Sequence, residues 1–153
     1  MPLIPETRLF GLKNKLYKIA GATIGRGVRI CSSVQIRGIG ELSIGDHTWV
    51  GHNSHIISAC NIVIGKNVDI APNVFFTTGS HQINMSGERI AGKGIQEAIN
   101  IGDGSWIAAG AIILPGTSIG NKCIVAAGAV VKGSFPDNSL IGGVPAKLIK
   151  QLI

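Results

Sequence analysis

Aromatic and charged residues are scarce in this chain of 153 residues, at 5% and 14%. Leu occurs nine times, against 35 for Ile and Val together. A chain so poor in helix formers and so rich in β-branched residues is not a helical bundle. No apolar run approaches the roughly 18 residues that cross a bilayer, so a membrane-spanning helix is excluded. The opening Met1-Pro2-Leu3-Ile4-Pro5-Glu6 lacks the charged segment and long apolar stretch of a signal peptide. Cys31, Cys60 and Cys123 are odd in number and far apart. They make neither a zinc spacing nor a disulfide framework, and are expected as reduced, packed cysteines of a cytoplasmic protein. With one Tyr and no basic run with interleaved aromatics, nucleic-acid binding is not expected. The net charge of +6 points instead to an anionic ligand or an anionic membrane surface.

What the chain has in abundance is glycine, 22 residues, about twice the usual share, and a strict period. From residue 101 a β-branched residue recurs every six positions: Ile101, Ile107, Ile113, Ile119, Val125 and Val131. At this Ile and Val content, six consecutive hits at one spacing have a chance of about one in ten thousand before the phase is chosen. The position four after each is small, Ser105, Ala111, Thr117, Cys123 and Ala129, until Phe135 breaks the pattern. Upstream the same pattern appears as Ile24, Ile30, Ile36, then Ile44, Val50, Ile56, then Ile64, Ile70, Phe76.

A period of six suits neither a helix nor a simple alternating strand. It suits a short strand followed by a turn, three of which close a triangle. The β-branched residue points inward and stacks on its counterpart in the next coil. Gly, Asp and Asn serve the corners, as in Gly45-Asp46 and Lys66-Asn67. The fold class expected is all-β, a parallel β-helix in one domain, 1–153. Its parts are an N-terminal helix over 6–20, the β-helix over 22–136 interrupted by a loop at 82–98, and a C-terminal cap over 137–153. In the helix, Leu9, Leu12, Leu16 and Ile19 form one face and Lys13, Asn14, Lys15 and Lys18 lie elsewhere. It reads as a lid over the first coil or as a basic helix for a membrane surface. The segment after Pro145 reads as a short helix or an extended cap. An interruption as long as 82–98 in a compact domain is usually functional.

Four histidines are candidates for chemistry. His81, in Thr77-Thr78-Gly79-Ser80-His81, stands just before the interruption. An imidazole there can serve as a general base toward a hydroxyl, or be a solvated corner residue. His47, His52 and His55 fall within nine residues and read as turn histidines, or as metal ligands if they converge. Lys122, Lys132, Lys147 and Lys150 give the C-terminal end a basic character suited to a phosphorylated ligand. No Gly-Xaa-Ser-Xaa-Gly elbow, phosphate-binding loop or paired-cysteine motif is present.

Taken together, the hexads, His81 with its loop, Ile101-Gly102-Asp103-Gly104-Ser105-Trp106-Ile107, Ile113-Leu114-Pro115-Gly116-Thr117-Ser118-Ile119-Gly120 and Gly143-Val144-Pro145-Ala146-Lys147 resemble the hexapeptide-repeat acyltransferases. The likeness covers about residues 22–149. It is greatest toward galactoside and maltose acetyltransferases and bacterial polysaccharide O-acetyltransferases. The resemblance implies a left-handed β-helix, a homotrimer with active sites between subunits, and acetyl-CoA as co-substrate with no metal. It implies a sugar or glycan acceptor in surface-polysaccharide synthesis, with His81 as the base and direct attack on the thioester. By the same resemblance Asn53 and Trp106 stand where the family meets its acceptor. Ala109, Ala127, Lys132, Lys147 and Lys150 stand where it meets the coenzyme. Ala109 replaces a serine of some relatives, which would leave oxyanion stabilisation to backbone N–H groups or water. Lys132 is displaced by one residue from the usual motif, and Lys147 replaces a common arginine. Competing readings are an amino-sugar N-acetyltransferase, a zinc hydratase of the γ-carbonic anhydrase type, and a non-catalytic trimeric scaffold.

Overall fold

Strands of two to four residues bury nothing alone. They form here because each is stacked in parallel on the strand one coil away. A computed structural model describes residues 5–153. It is the parallel β-helix the repeat implies, of the left-handed kind the resemblance implies, about six coils long, with three sheets as the sides of a prism. The first face stacks Thr23–Ile24, Leu42–Ile44, Ile62–Ile64, Ile99–Ile101, Ser118–Ile119 and Ser134–Phe135. The second runs from Arg29–Ile30 to Ser139–Gly143, and the third from Gln35–Gly38 to Val130–Val131.

Register explains the core. Ile24, Ile44, Ile64, Ile101, Ile119 and Phe135 are partners in one column, and Ile30, Val50, Ile70, Ile107, Val125 and Ile141 in a second. Ile36, Ile56, Phe76, Ile113 and Val131 make the third. Only Phe135 and Ile36, near the ends, escape full burial. The small positions carry hydroxyls that link coils. Thr48 Oγ1 donates to Gly65 O at 2.8 Å and accepts from Val68 N–H at 3.1 Å. Ser105 Oγ does the same between Gly120 O and Cys123 N–H. Buried hydroxyls paired on both sides cost little.

The three corners differ. Between the first and second faces, positive φ recurs at Gly27, His47, Asn67, Gly104, Lys122 and Asn138. Between the second and third it recurs at Asn53, Asn73, Gly110 and Gly128. The third corner takes up all variation in coil length. Ile36 to Ile44 and Ile56 to Ile64 are eight residues, Ile113 to Ile119 six, and Phe76 to Ile101 twenty-five. The long insertion is not the open loop expected at 82–98. It is an antiparallel hairpin of Gly79–Ile83 and Ala91–Gln96. Backbone pairing of Gly79 with Gln96, Ser80 with Ile95 and His81 with Gly94 orders a segment whose side chains have no alternation to announce it.

The C-terminal end takes the extended one of its two expected forms, and the N-terminal end departs from expectation. The C-terminal cap is extended: Ala146–Gln151 turns back antiparallel on Ser139–Gly143 and closes the second sheet. The helix is shorter, Phe10–Ile19, and rotated. Its buried side is Lys13, flanked by half-buried Phe10, Asn14 and Tyr17. Lys13 Nζ donates to Glu6 O at 2.8 Å and Ser32 Oγ at 3.2 Å and lies 4.4 Å from the Phe10 ring centre. Asn14 Nδ2 donates to Val28 O at 2.8 Å. The leucine face points outward.

A ladder of carboxylates pins the first corner. Asp46 Oδ1 accepts from Arg26 N–H at 2.8 Å, Asp103 Oδ1 from Lys66 N–H at 2.9 Å and Asp137 Oδ1 from Asn121 N–H at 2.7 Å. The Arg26 backbone donor, with its guanidinium, holds Asp46 below the usual carboxylate range, and the Asn121 backbone and side chain do so for Asp137. A depressed pKa means that the unfolded chain takes up protons first. The stabilisation is complete above the ordinary carboxylate pKa and is lost as pH falls through that range toward the folded value. Urea midpoints measured downward from pH 6 should therefore fall less steeply in an Asp46→Asn/Asp137→Asn variant than in the parent chain.

Candidate active site

His81 owes its place to the hairpin, and the hairpin owes its anchorage to Thr78. The fully buried Thr78 accepts at Oγ1 from Ala59 N–H at 2.8 Å and Cys60 N–H at 3.1 Å, and its carbonyl accepts from Glu97 N–H at 3.0 Å. Three residues on, His81 is exposed and its Nδ1 lies 2.9 Å from Gly92 O on the facing strand. A carbonyl only accepts, so Nδ1 carries the proton and Nε2 presents a lone pair. This is the backbone acceptor that an imidazole base needs to fix its tautomer. Beyond it, Asn84, Glu88, Arg89, Gly92 and Lys93 line a polar depression of about 420 Å³ on the hairpin.

The other expected site residues fall mainly on a different edge. Asn53, Ala109 and Ala127 occupy the corner between the second and third faces. There Asn73 N–H donates to His52 O, Gly110 N–H to Pro72 O and Gly128 N–H to Ala109 O, each within 2.9–3.1 Å. All three are exposed. At about 4.8 Å per coil, Asn53 and Ala127 are about 14 Å apart along this edge. Its C-terminal end is Gly142, which is next to Ala126 and pairs with Lys147. Lys150 lies on the same returning strand, paired with Leu140. Lys132 follows Val131 at the third corner, whereas Lys147 and Lys150 are on the strand that returns along the second sheet. Trp106 stands half-exposed on the second face between Asp69 and Ile124. His81 and the Asn53–Ala127 edge are thus separated by the whole third face within one chain.

His47, His52 and His55 do not converge within one chain. His47 lies at the first corner under Gly27, and His55 faces Phe75 on the third side with ring centres 6.0 Å apart. His52 joins a different group that sequence spacing could not show. Its Nδ1 is 3.2 Å from Glu6 Oε2, its Nε2 is 3.9 Å from Cys31 Sγ, and the ligand atoms of Glu6, Cys31 and His52 lie within 4.8 Å of one another. Burial raises the Cys31 thiol. Partial desolvation pushes the Glu6 carboxyl up, but donors from Ser33 and His52 outweigh it and hold it below its usual range. This group ties the segment before the helix to the first two coils.

Residues 98–133 match the model for the bacterial transferase hexapeptide with six repeats, and residues 41–78 that for the hexapeptide repeat of succinyl-transferase. The Escherichia coli protein WbbJ, provisionally named a lipopolysaccharide biosynthesis O-acetyl transferase, is 34% identical over 84% of this chain and 72% of its own length. The chain belongs to the hexapeptide-repeat acetyltransferases. An acetyltransferase of Saccharomyces cerevisiae, also provisionally named, is 39% identical over 73% of this chain, which spans only 57% of that relative. The Escherichia coli galactoside O-acetyltransferase is 29% identical over 92% of this chain and 68% of its own. A solved structure of galactoside acetyltransferase with coenzyme A superposes with a TM-score of 0.73 at 26% identity, covering 94% of this chain and 72% of that one.

Proposed function

We propose that this hexapeptide-repeat acetyltransferase moves the acetyl group of acetyl-CoA to a hydroxyl of a sugar or glycan used in surface-polysaccharide synthesis. The observation that carries the reading is His81: exposed on the hairpin, Nδ1 held by Gly92 O, Nε2 without a partner among the described residues. Such a nitrogen takes the proton of an acceptor hydroxyl as its oxygen attacks the thioester carbonyl. The oxygen–carbon bond forms, the tetrahedral intermediate collapses, and coenzyme A leaves as the thiolate, which takes the proton back from the imidazolium.

The edge from Asn53 to Lys147 suits the coenzyme. Alanines at 109 and 127 leave a shallow track for the pantetheine arm, and Lys147 and Lys150 offer cations for the phosphates at its end. Ala109 supplies no side-chain donor, so the developing oxyanion relies on backbone N–H groups or water. Asn53 and Trp106 take the acceptor side, together with the polar floor of the hairpin. Because His81 and this edge lie on different corners, one chain does not complete the site. A homotrimer, in which each hairpin reaches a neighbour's edge, does. Lys132, on the third corner, has a secondary part.

The test is release of coenzyme A thiol from acetyl-CoA against sugars, nucleotide sugars and oligosaccharides. Release with none of them sinks the proposal, and a preference for amino sugars changes the acceptor to an amine. Lys147→Ala should raise KM for acetyl-CoA about tenfold with little change in kcat, as expected when binding shared by ground and transition states is lost. An unchanged KM removes Lys147 from the site.

A further inference from the structure

The N-terminal helix turns the wrong side to its own protein. Leu9, Leu12, Leu16 and Ile19 are 57%, 48%, 40% and 76% exposed, although their spacing is that of a buried stripe. They cannot simply rotate inward, because the opposite side is fixed by Lys13 to Glu6 O and Ser32, and by Asn14 to Val28 O. Nor does the stripe stand alone. Beside it opens a groove of about 540 Å³ bordered by Leu16, Tyr17, Ile36 and Leu42. At its lip Ile39, on the Gly38-Ile39-Gly40 corner, is 93% exposed. Scattered apolar residues on a surface mean little, but a contiguous patch built on rigid elements marks an interaction site.

We propose that this end of the prism docks on an anionic lipid bilayer. Charge chooses the occupant. Arg8, Lys15 and Lys18 flank the stripe, all exposed, and Arg37 lies at the groove. The acids beside it are Glu6, engaged by Ser33 and His52, and Glu41, which also lines the groove. An apolar strip with a basic rim is the pattern of a helix lying in the plane of a charged membrane surface. Shape agrees. The patch is on the end of a straight prism, so it can meet a plane without the sides intervening. A threefold axis keeps equivalent patches at one height, so the trimer proposed above would set three down together and gain by avidity. A single chain needs only its own helix, so docking does not depend on the acetyl-transfer reading.

The experiment is co-sedimentation of the full chain with vesicles of phosphatidylcholine alone and of phosphatidylcholine with about a third phosphatidylglycerol. Binding to the anionic vesicles and not the neutral ones, weakened by added salt, is the expected result. Each lysine near such a surface is worth about fivefold, so Lys15→Glu/Lys18→Glu should weaken binding by about 25-fold or more. Leu12→Gln/Leu16→Gln should weaken it by at least about tenfold. Both variants should keep the parent melting midpoint and the parent rate of thiol release on a soluble acceptor. If the parent chain stays in the supernatant with both vesicles, or if either variant binds as well as the parent, the proposal fails. It fails equally if the stripe joins two copies end to end, seen as halving of the mass in solution on Leu12→Gln/Leu16→Gln. A chain that docks but releases no thiol would leave the membrane surface standing and defeat the catalytic reading alone.

Discussion

His81→Ala should cut kcat by about 10²–10⁴-fold while leaving the KM for acetyl-CoA near its parent value. The imidazole lies on an exposed hairpin strand and contributes one side-chain hydrogen bond, to Gly92 O, so its removal threatens chemistry rather than fold. His47→Gln, His52→Gln and His55→Gln together should do far less to kcat, since the His52 ring is tied to Glu6, His47 lies at the first corner and His55 faces Phe75 on the third side. If the imidazole serves a neighbour's edge, two dead chains can repair each other. Co-expressed with an Ala127→Trp chain, which blocks the edge, His81→Ala chains should recover activity at about one site in four. No recovery would mean that base and edge act within one subunit. Near-parental kcat in His81→Ala on the true acceptor would remove the base altogether.

The second large effect is on stability. Phe76 is the largest apolar side chain with no exposure, stacked between Ile56 and Ile113 in the third column. Phe76→Ala should cost about 3–5 kcal/mol, because neighbours held by backbone ladders on all three faces cannot collapse into the space. A mid-prism defect also lies two residues from the hairpin base at Thr78, so activity should fail at a lower temperature than in the parent. Phe76→Leu, nearer in volume, should cost less than about 1.5 kcal/mol. Urea midpoints separate the two, and equal midpoints would mean that the column tolerates loss of the ring.

The prism could be read from its period because one physical rule acts at every coil. An inward residue meets its counterpart one coil away, which favours β-branched residues, and Ile101, Ile107, Ile113, Ile119, Val125 and Val131 are buried. Only at the ends and at the insertion do other rules compete. For the helix, apolar spacing favoured the leucine face, but Lys13 and Asn14 reach oxygens of the first coil, and those bonds set the rotation. The hairpin has no hydrophobic alternation, since both its faces are wet, so only backbone pairing reveals it. Candidate site residues were legible one by one through resemblance. Their division between two corners was not, because it depends on where each falls within a coil.

The corner between the third and first faces is where this chain changes length, by two residues in the early coils and by a whole hairpin after Phe76. The other two corners hold the six-residue beat. On the function proposed above, substrate choice and cofactor handling would therefore be carried on parts that can change independently. A longer, shorter or foreign hairpin between Thr78 and Glu97 would leave the register of every ladder and the track toward Lys147 as they are. The fold works as a socket, and the hairpin is its exchangeable tool.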